Sequence, residues 1–297
     1  MQAIKQHSVA DGTITERDLN EIRALIEQRS AILFDSSRER FFSARLREFL
    51  KEKSLAGGAE LLRHVRGSAS EYESLLERLL TQETSFFRYP GVYEALEKTI
   101  VPQLQEKKFW QSPRTLRVWS AGCATGEEPY SIAVTLCDSL KFAEAWEIEI
   151  LATDISRRAL RHAERGQYPR RSLQDVSLRQ VETYFTPTKH GFQVRPRIRR
   201  MVSFAQMNLA DSVYLGKLDC IFCMNVLMYF SDERRLAILR HFYDALEPGG
   251  YFVLGHAETL SHVPLKFEPA DFADCRLYRK PGAMEAHRIP AVAEERA

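Results

Sequence analysis

The sequence predicts an α/β fold in which a doubly wound, mostly parallel sheet follows a separate all-helical region. Two observations carry this prediction. Before residue 80, apolar residues recur with a helical period and show no strand-like alternation. After Pro113, short apolar runs typical of strands alternate with helical patterns, which is the arrangement that produces parallel sheets.

Residues 1–80 are predicted to form a small helical domain. Its first helix follows Thr15, which together with Asp18 resembles a capping box. Residues 81–113 are predicted to be a connector whose second half is helical. The later helices of the domain are expected at residues 37–53, 59–65 and 70–80.

Residues 114–281 are predicted to form the α/β domain, and residues 282–297 a disordered tail. An insertion at about 167–200 breaks the alternation. We expect it to hold a helix, a turn at Thr186–Gly191 and an antiparallel ribbon whose β-like runs include Phe192, Val194 and Ile198. The predicted strands of the main sheet are 114–120, 148–153, 201–206, 218–224, 251–254 and 276–279, and the helices between them are 128–140, 156–165 and 232–246.

The composition is that of a globular protein with nearly balanced charge. The net charge of +2 does not by itself indicate nucleic acid, and five scattered cysteines argue against a disulfide framework. No apolar run reaches the roughly 18 residues that a membrane helix needs. The histidines form no metal-binding pattern, and Cys220 and Cys223 lie in an apolar strand, where buried thiols are expected rather than zinc ligands. We therefore predict a cytoplasmic protein without a metal.

A glycine turn after the first predicted strand is the first candidate for ligand binding. Its glycines, Gly122 and Gly126, have G-x-x-x-G spacing, which differs from the G-x-G-x-x-G of dinucleotide folds. Glu127 and Glu128 follow at once. Two carboxylates at a helix start disfavour a phosphate and favour a positively charged ligand such as S-adenosylmethionine. The alternative is that they only stabilise the helix dipole.

Asp154, after the second predicted strand, is the second candidate. In nucleoside-binding α/β folds an acid at this place hydrogen-bonds ribose hydroxyls. The alternative is a helix cap, although Ser156 can supply that cap without it.

Together these segments resemble the CheR-type chemotaxis receptor glutamate O-methyltransferase family. The resemblance implies a class I (Rossmann-like) methyltransferase domain with an inserted antiparallel β-subdomain, preceded by a small all-helical domain. It also implies that S-adenosylmethionine is the cofactor and S-adenosylhomocysteine the product. The segments that carry the resemblance are 81–88, 119–131, 152–155, 207–209 and 221–230.

The resemblance assigns roles to individual residues. Arg88 and Tyr229 are the implied catalytic residues, with Arg88 reaching the cofactor pocket beside Thr84 and Tyr229 facing the transferred methyl group with Asn225. Glu127 is the implied contact of the cofactor amino group and Asp154 that of the ribose. The full set of implied cofactor-binding residues is Gln82, Thr84, Arg88, Gly122, Glu127, Asp154, Asn208, Leu209, Asn225 and Val226, of which Asn208 and Leu209 lie on the adenine side.

Two departures from the family pattern bear on these roles. Gln82 stands where asparagine is frequent, and Met224 stands where arginine is frequent, so Met224 is given no polar role. For Arg88 the alternative is a structural salt bridge, and for Tyr229 it is core packing with Phe230.

The implied partners are the glutamate-rich methylation helices of chemotaxis receptors. The short turn at Thr186–Gly191 implies an enzyme that needs no C-terminal pentapeptide tether on the receptor. Basic clusters on the second helix and around the insertion either steer this docking or are ordinary solvated faces. The alternatives to the whole assignment are a class I methyltransferase on another substrate and a non-catalytic adaptor that binds S-adenosylmethionine.

Overall fold

The computed structural model describes residues 14–212, 215–261, 263–270, 272 and 275–282. Within them the chain forms two compact units. One holds the residues up to Thr81 together with Tyr229–Ser231, and the other holds Gln82–Met228 and the chain from Asp232 onward. The predicted disordered tail lies outside the described residues, apart from Gly282.

The first unit is helical, as predicted. Its first helix is capped by Thr15, whose hydroxyl accepts the Asp18 N–H while the Asp18 carboxylate accepts the Thr15 N–H, so the predicted capping box is confirmed. Fully buried apolar side chains such as Ile22 and Leu46 form the core of the unit. The four helices are α1 (Glu16–Ser30), α2 (Glu39–Lys53), α3 (Gly58–Gly67) and α4 (Ala69–Leu79).

The second unit begins with a helical stretch and continues into a seven-stranded sheet. The helical stretch comprises α5 (Pro90–Ala95), a π-helical turn and α6 (Val101–Lys108). The remaining helices of the unit are α7 (Glu127–Ser139), α8 (Arg157–Arg165), α9 (Leu178–Tyr184), α10 (Pro196–Arg199) and α11 (Asp232–Ala245). Its strands are β1 (Thr115–Ala121), β2 (Glu147–Asp154), β3 (Gln167–Tyr168), β4 (Phe185–Thr188), β5 (Gly191–Val194), β6 (Val202–Gln206), β7 (Leu218–Cys223), β8 (Leu246–Leu254), β9 (Glu268–Pro269) and β10 (Arg276–Arg279).

The large sheet has the strand order β6-β2-β1-β7-β8-β10-β9. The first five strands are parallel, and β10 is antiparallel to both β8 and β9. The order reverses at β1, whose neighbours are β2 and β7, and ligands of such sheets bind beyond the carboxyl ends of the strands at that point. The predicted fold class is confirmed.

The insertion contains a second, three-stranded antiparallel sheet in the order β3-β5-β4. Lys189 and His190 alone connect β4 to β5, since Thr188 pairs with Gly191. The predicted β-like character of Ile198 is wrong, because it lies in α10. Pro196 presets a helical φ at the first position of that turn, and the Ile198 N–H bonds to the Arg195 carbonyl.

None of the helices in the described part of the chain has the length and apolar character needed to cross a membrane.

Candidate active site

The glycine turn between β1 and α7 is held against the end of β2. The N–H groups of Gly122 and Cys123 both donate to the Thr153 carbonyl, at 2.8 and 2.9 Å. Gly122 has a φ of +85°, and a Cβ at this position would stand 2.5 Å from Val226 Cγ2. Glycine is therefore required both by the backbone conformation and by the close approach of the loop after β7. Two predicted cofactor-binding residues, Gly122 and Val226, are thus in contact.

Asp154, at the end of β2, ties this turn to the next helix. One carboxylate oxygen accepts the Ala124 N–H at 2.9 Å, and the other accepts the Ser156 N–H at 2.8 Å. The cap of α8 is Ser156, whose hydroxyl accepts the Ala159 N–H.

The predicted connector residues approach the same edge of the sheet. Gln82 donates from its amide to the Ser156 hydroxyl at 2.7 Å, so the amide that replaces the family's asparagine has a defined contact. Thr84 is half-buried two residues later. Beyond the end of β6, the Asn208 side chain accepts the Ala210 N–H, and Leu209 is buried.

Glu127 and Glu128 open α7, and both side chains are buried. Glu127 accepts the Thr125 hydroxyl at 2.6 Å, and Glu128 accepts the Ser120 hydroxyl at 2.6 Å. Burial raises the pKa of Glu127. Burial also raises the pKa of Glu128 to about 7, although the Ser120 hydrogen bond and the Arg88 guanidinium oppose this rise.

Arg88 lies in an unusual backbone turn. Its neighbours Phe87 and Tyr89 both have positive φ, +53° and +63°, which non-glycine residues rarely adopt. The Phe87 N–H donates to the Ser131 hydroxyl of α7, and the Arg88 guanidinium donates to the Glu83 carbonyl at 2.7 Å. The turn thus places the guanidinium where its charge acts on Glu128.

The residues after β7 contact an acid, Glu258, that the sequence analysis did not single out. Asn225 has a φ of +60°, and its N–H donates at 2.9 Å to Glu258, which also accepts the Gly255 N–H at 3.1 Å. Asp154 is the last residue of β2, and Glu258 lies shortly beyond the end of β8, so an acid near the end of a strand was the available signal. Glu128 was recognised as a charge at the turn but was not assigned as a site residue.

Tyr229 is placed differently from the other predicted site residues. It belongs to the first compact unit, where its carbonyl accepts the Leu33 N–H at 2.8 Å. The guanidinium carbon of Arg38 lies 4.7 Å from the centre of its ring, a cation–π contact. The described contacts of Tyr229 thus include neither Asn225 nor any other predicted cofactor residue.

The crevice beyond β1, β2 and β7 fits a ligand that is positively charged and rich in hydrogen-bond donors. Its carboxylates are Glu127, Glu128, Asp154 and Glu258, and the Arg88 guanidinium is the basic group whose charge acts on Glu128. The side-chain oxygen Oδ1 of Asn225 and Oε1 of Glu258 are buried without a hydrogen-bond partner in the described part of the chain. S-adenosylmethionine carries an ammonium, a sulfonium and two ribose hydroxyls, which match these needs.

No cluster of three or more metal-ligating side chains occurs among the described residues. Cys220 and Cys223 are buried in β7, and burial raises the pKa of both thiols.

Comparison with known proteins decides the family. A family model described as CheR methyltransferase, SAM binding domain, matches residues 82–274, and a second, described as CheR methyltransferase, all-alpha domain, matches residues 17–80. The chain belongs to the CheR methyltransferase family. The two matched regions of this CheR-family chain account for nearly all of its described residues.

Curated relatives resemble the chain over almost their whole length. Chemotaxis protein methyltransferase 2 of Vibrio cholerae is 33% identical over 275 residues, covering 90% of this chain and 94% of that protein. Chemotaxis protein methyltransferase 1 of Pseudomonas aeruginosa is 31% identical, covering 88% of this chain and 97% of that protein. Chemotaxis protein methyltransferase Cher2 of Pseudomonas putida is 31% identical, covering 83% and 92%.

Proposed function

We propose that this CheR-family chain is a cytoplasmic enzyme that transfers the methyl group of S-adenosylmethionine to glutamate side chains of chemotaxis receptors. The observation that carries the proposal is the acidic crevice at the carboxyl ends of β1 and β2, where Glu127 and Asp154 stand beside a glycine turn. The curated relatives, all named chemotaxis protein methyltransferases, support the receptor as substrate.

The reaction requires little acid–base catalysis by the protein. When bound, S-adenosylmethionine supplies an electrophilic methyl group on its sulfonium. A glutamate carboxylate is already ionised at neutral pH, since its reference pKa is about 4.3, so no general base is required. The residues of the crevice therefore act by aligning the carboxylate in line with the methyl group and by excluding water.

Each predicted role becomes part of the proposal. Glu127 accepts from the cofactor amino group, and Asp154 accepts from the ribose hydroxyls. Arg88 holds a carboxylate, either that of the substrate or that of the cofactor, by charge-assisted hydrogen bonds. Asn208 and Leu209 line the adenine side, and Gln82, Thr84, Gly122, Asn225 and Val226 complete the binding set.

Arg88→Ala is expected to lower turnover to near background, because the positioned guanidinium is lost. Arg117→Ala is the matched control, since Arg117 lies on β1 with its side chain 52% exposed and paired with Glu149. Wild-type turnover and cofactor affinity in Arg88→Ala would contradict the role.

Tyr229→Phe tests whether the phenol hydroxyl acts in the reaction. The expected result is reduced turnover with unchanged stability, since the ring that contacts Arg38 is kept. Unchanged turnover would assign Tyr229 to packing alone.

Exposed basic residues on α2 support docking of a glutamate-rich receptor helix. Arg40, Arg47 and Lys51 recur at helical spacing and are exposed. By contrast, two arginines of the insertion donate to carbonyls of their own fold: Arg195 to the Phe185 carbonyl, and Arg199 to the Glu164 carbonyl. We therefore place the steering surface on α2.

Reversing one charge on this surface tests the docking. Arg47→Glu should raise KM for the receptor several-fold and weaken its salt dependence, with little change in kcat. Arg17→Glu on α1, where Arg17 is exposed and paired with Glu21, is the matched control. Equal effects of the two variants would place the steering surface elsewhere.

The two-residue connection between β4 and β5 supports an enzyme that does not use a C-terminal receptor tether. A receptor-tail pentapeptide should show no binding in calorimetry, and low-micromolar affinity would remove this part of the proposal. Neither nucleic acid nor membrane insertion is part of the proposed activity.

The reaction itself is tested with methyl-labelled S-adenosylmethionine and receptor cytoplasmic fragments. We expect label on the receptor that mild alkali releases as methanol, which marks a carboxyl ester. Label that resists alkali would indicate nitrogen or another acceptor, and label on other substrates alone would indicate a different class I methyltransferase. Cofactor binding without any transfer would indicate an adaptor.

A further inference from the structure

Glu258 joins the ends of two neighbouring strands through a single carboxylate oxygen. Strands β7 and β8 are parallel and pair as far as Cys223 and Leu254. Just beyond that pair, Glu258 Oε2 accepts the Asn225 N–H at 2.9 Å and the Gly255 N–H at 3.1 Å. The Glu258 N–H in turn donates to the Gly255 carbonyl at 3.0 Å, so the acid is itself held in a tight turn.

This arrangement determines where Asn225 and Val226 stand. The φ of +60° at Asn225 is uncommon for a side-chain-bearing residue, although asparagine adopts it more readily than most, and the bond to Glu258 holds the backbone there. A Cβ on Gly255 would meet both the Asn225 nitrogen and Glu258 Oε2 at 2.8 Å, so the two loops touch without spare room. Val226, the next residue, packs on Gly122 of the glycine turn. A shift of Glu258 would therefore be transmitted to the cofactor crevice.

The second oxygen of Glu258 is not used by the fold. Oε1 is buried and has no hydrogen-bond partner in the described part of the chain, as is also true of Asn225 Oδ1. The charge of Glu258 also reaches Glu128, whose pKa it helps to raise. A buried carboxylate with an unsatisfied oxygen is costly unless positive charge arrives near it.

We propose that Glu258 is a positioning residue that fixes Asn225 and Val226, and that its negative charge favours the sulfonium cofactor over the neutral thioether product. This inference rests on the proposed function, since it takes S-adenosylmethionine as the ligand. It adds a means of discrimination, because S-adenosylhomocysteine lacks the sulfonium charge while it keeps the amino, carboxyl and ribose groups. A fixed negative charge therefore lowers the affinity for product relative to cofactor after methyl transfer.

The test compares calorimetric affinities of the full chain for S-adenosylmethionine and S-adenosylhomocysteine. Glu258→Gln keeps an oxygen that can accept both N–H groups but removes the charge. We expect the affinity of this variant for S-adenosylmethionine to fall about five- to tenfold. Its affinity for S-adenosylhomocysteine should change less than about twofold. Glu258→Ala removes the acceptor as well, so both affinities should fall about tenfold or more. Glu268→Gln, which removes an exposed charge in β9, should change neither.

The outcomes separate the inference from the proposed function. The proposed role of the Glu258 charge would be overturned if Glu258→Gln lowered the affinities for both ligands equally, or lowered neither. Normal affinities in Glu258→Ala would overturn its positioning role. A wild-type protein that binds neither ligand would remove the proposed function, and this inference with it. Circular dichroism of each variant establishes that it is folded.

Discussion

Replacing Glu128 by glutamine should stabilise the protein at neutral pH and weaken cofactor binding. The Glu128 carboxyl is buried at the start of α7, where it accepts the Ser120 hydroxyl at 2.6 Å. Burial raises its pKa from an ordinary value of 4.5 to about 7. The unfolded chain therefore releases this proton near pH 4.5, while the folded chain keeps it until about pH 7.

The sign of the effect follows from the protons that each state binds. Between these two pH values the folded state binds more protons than the unfolded state, so the contribution of Glu128 to stability falls as pH rises. Below pH 4.5 the contribution is fully present, and above about pH 7 it is lost. A shift of this size corresponds to about 3 kcal/mol of unfolding free energy at most. Glutamine is neutral throughout and has no such loss.

Urea denaturation of wild type and Glu128→Gln, without cofactor, at several pH values from 4.5 to 8 measures this difference. We expect the unfolding free energy of Glu128→Gln to exceed that of wild type only slightly near pH 4.5, and by about 2–3 kcal/mol above pH 7. Cofactor affinity should change in the opposite direction, because a positive ligand favours the ionised carboxylate. If the difference in unfolding free energy between Glu128→Gln and wild type did not change with pH, the raised pKa of Glu128 would not be the cause. A variant that is less stable than wild type at pH 8 would contradict it as well.

Three further substitutions test other parts of the structure. Gly122→Ala forces a side chain to a φ of +85° and against Val226. The unfolding free energy measured with urea should therefore fall by about 1–3 kcal/mol. Adding Val226→Ala to this variant should restore part of the loss. Asp219→Ala removes the 2.6 Å partner of the buried Lys108 ammonium and should cost about 3–5 kcal/mol in the same assay; an effect below about 1 kcal/mol would contradict the buried pair. Asp154→Ala should lower calorimetric affinity for S-adenosylhomocysteine at least about tenfold, since the ribose contact and the tie to the glycine turn are lost together; an unchanged affinity would remove the ribose role.

Local chemistry explains which features could be predicted from the sequence. The capping box at Thr15, the glycine turn and the acid after β2 each depend on residues within a few positions of one another. The strand–helix alternation predicted the parallel sheet because hydrophobic periodicity reports local structure directly. These features place Gly122, Glu127 and Asp154 correctly at one edge of the sheet.

One proline effect and two long-range contacts account for features that were not predicted. The apolar positions Phe192, Val194 and Ile198 alternate like a strand, but Pro196 starts a helical turn instead. The Tyr229 carbonyl bonds to Leu33, nearly two hundred residues away in sequence, and nothing near either residue signals this. Glu258 acts on Asn225 because β7 and β8 are neighbours, which becomes evident only when the strand order is known.

A crystal structure with S-adenosylhomocysteine shows whether the ligand occupies the crevice beyond β1 and β2. We expect the ligand beyond β1 and β2, with its ribose hydroxyls on Asp154, its amino group on Glu127 and the Gly122 backbone in van der Waals contact. The Asp154 bonds from the Ala124 and Ser156 N–H groups should be kept in that complex. A ligand bound elsewhere, or one that leaves both carboxylates without contact, would contradict the account.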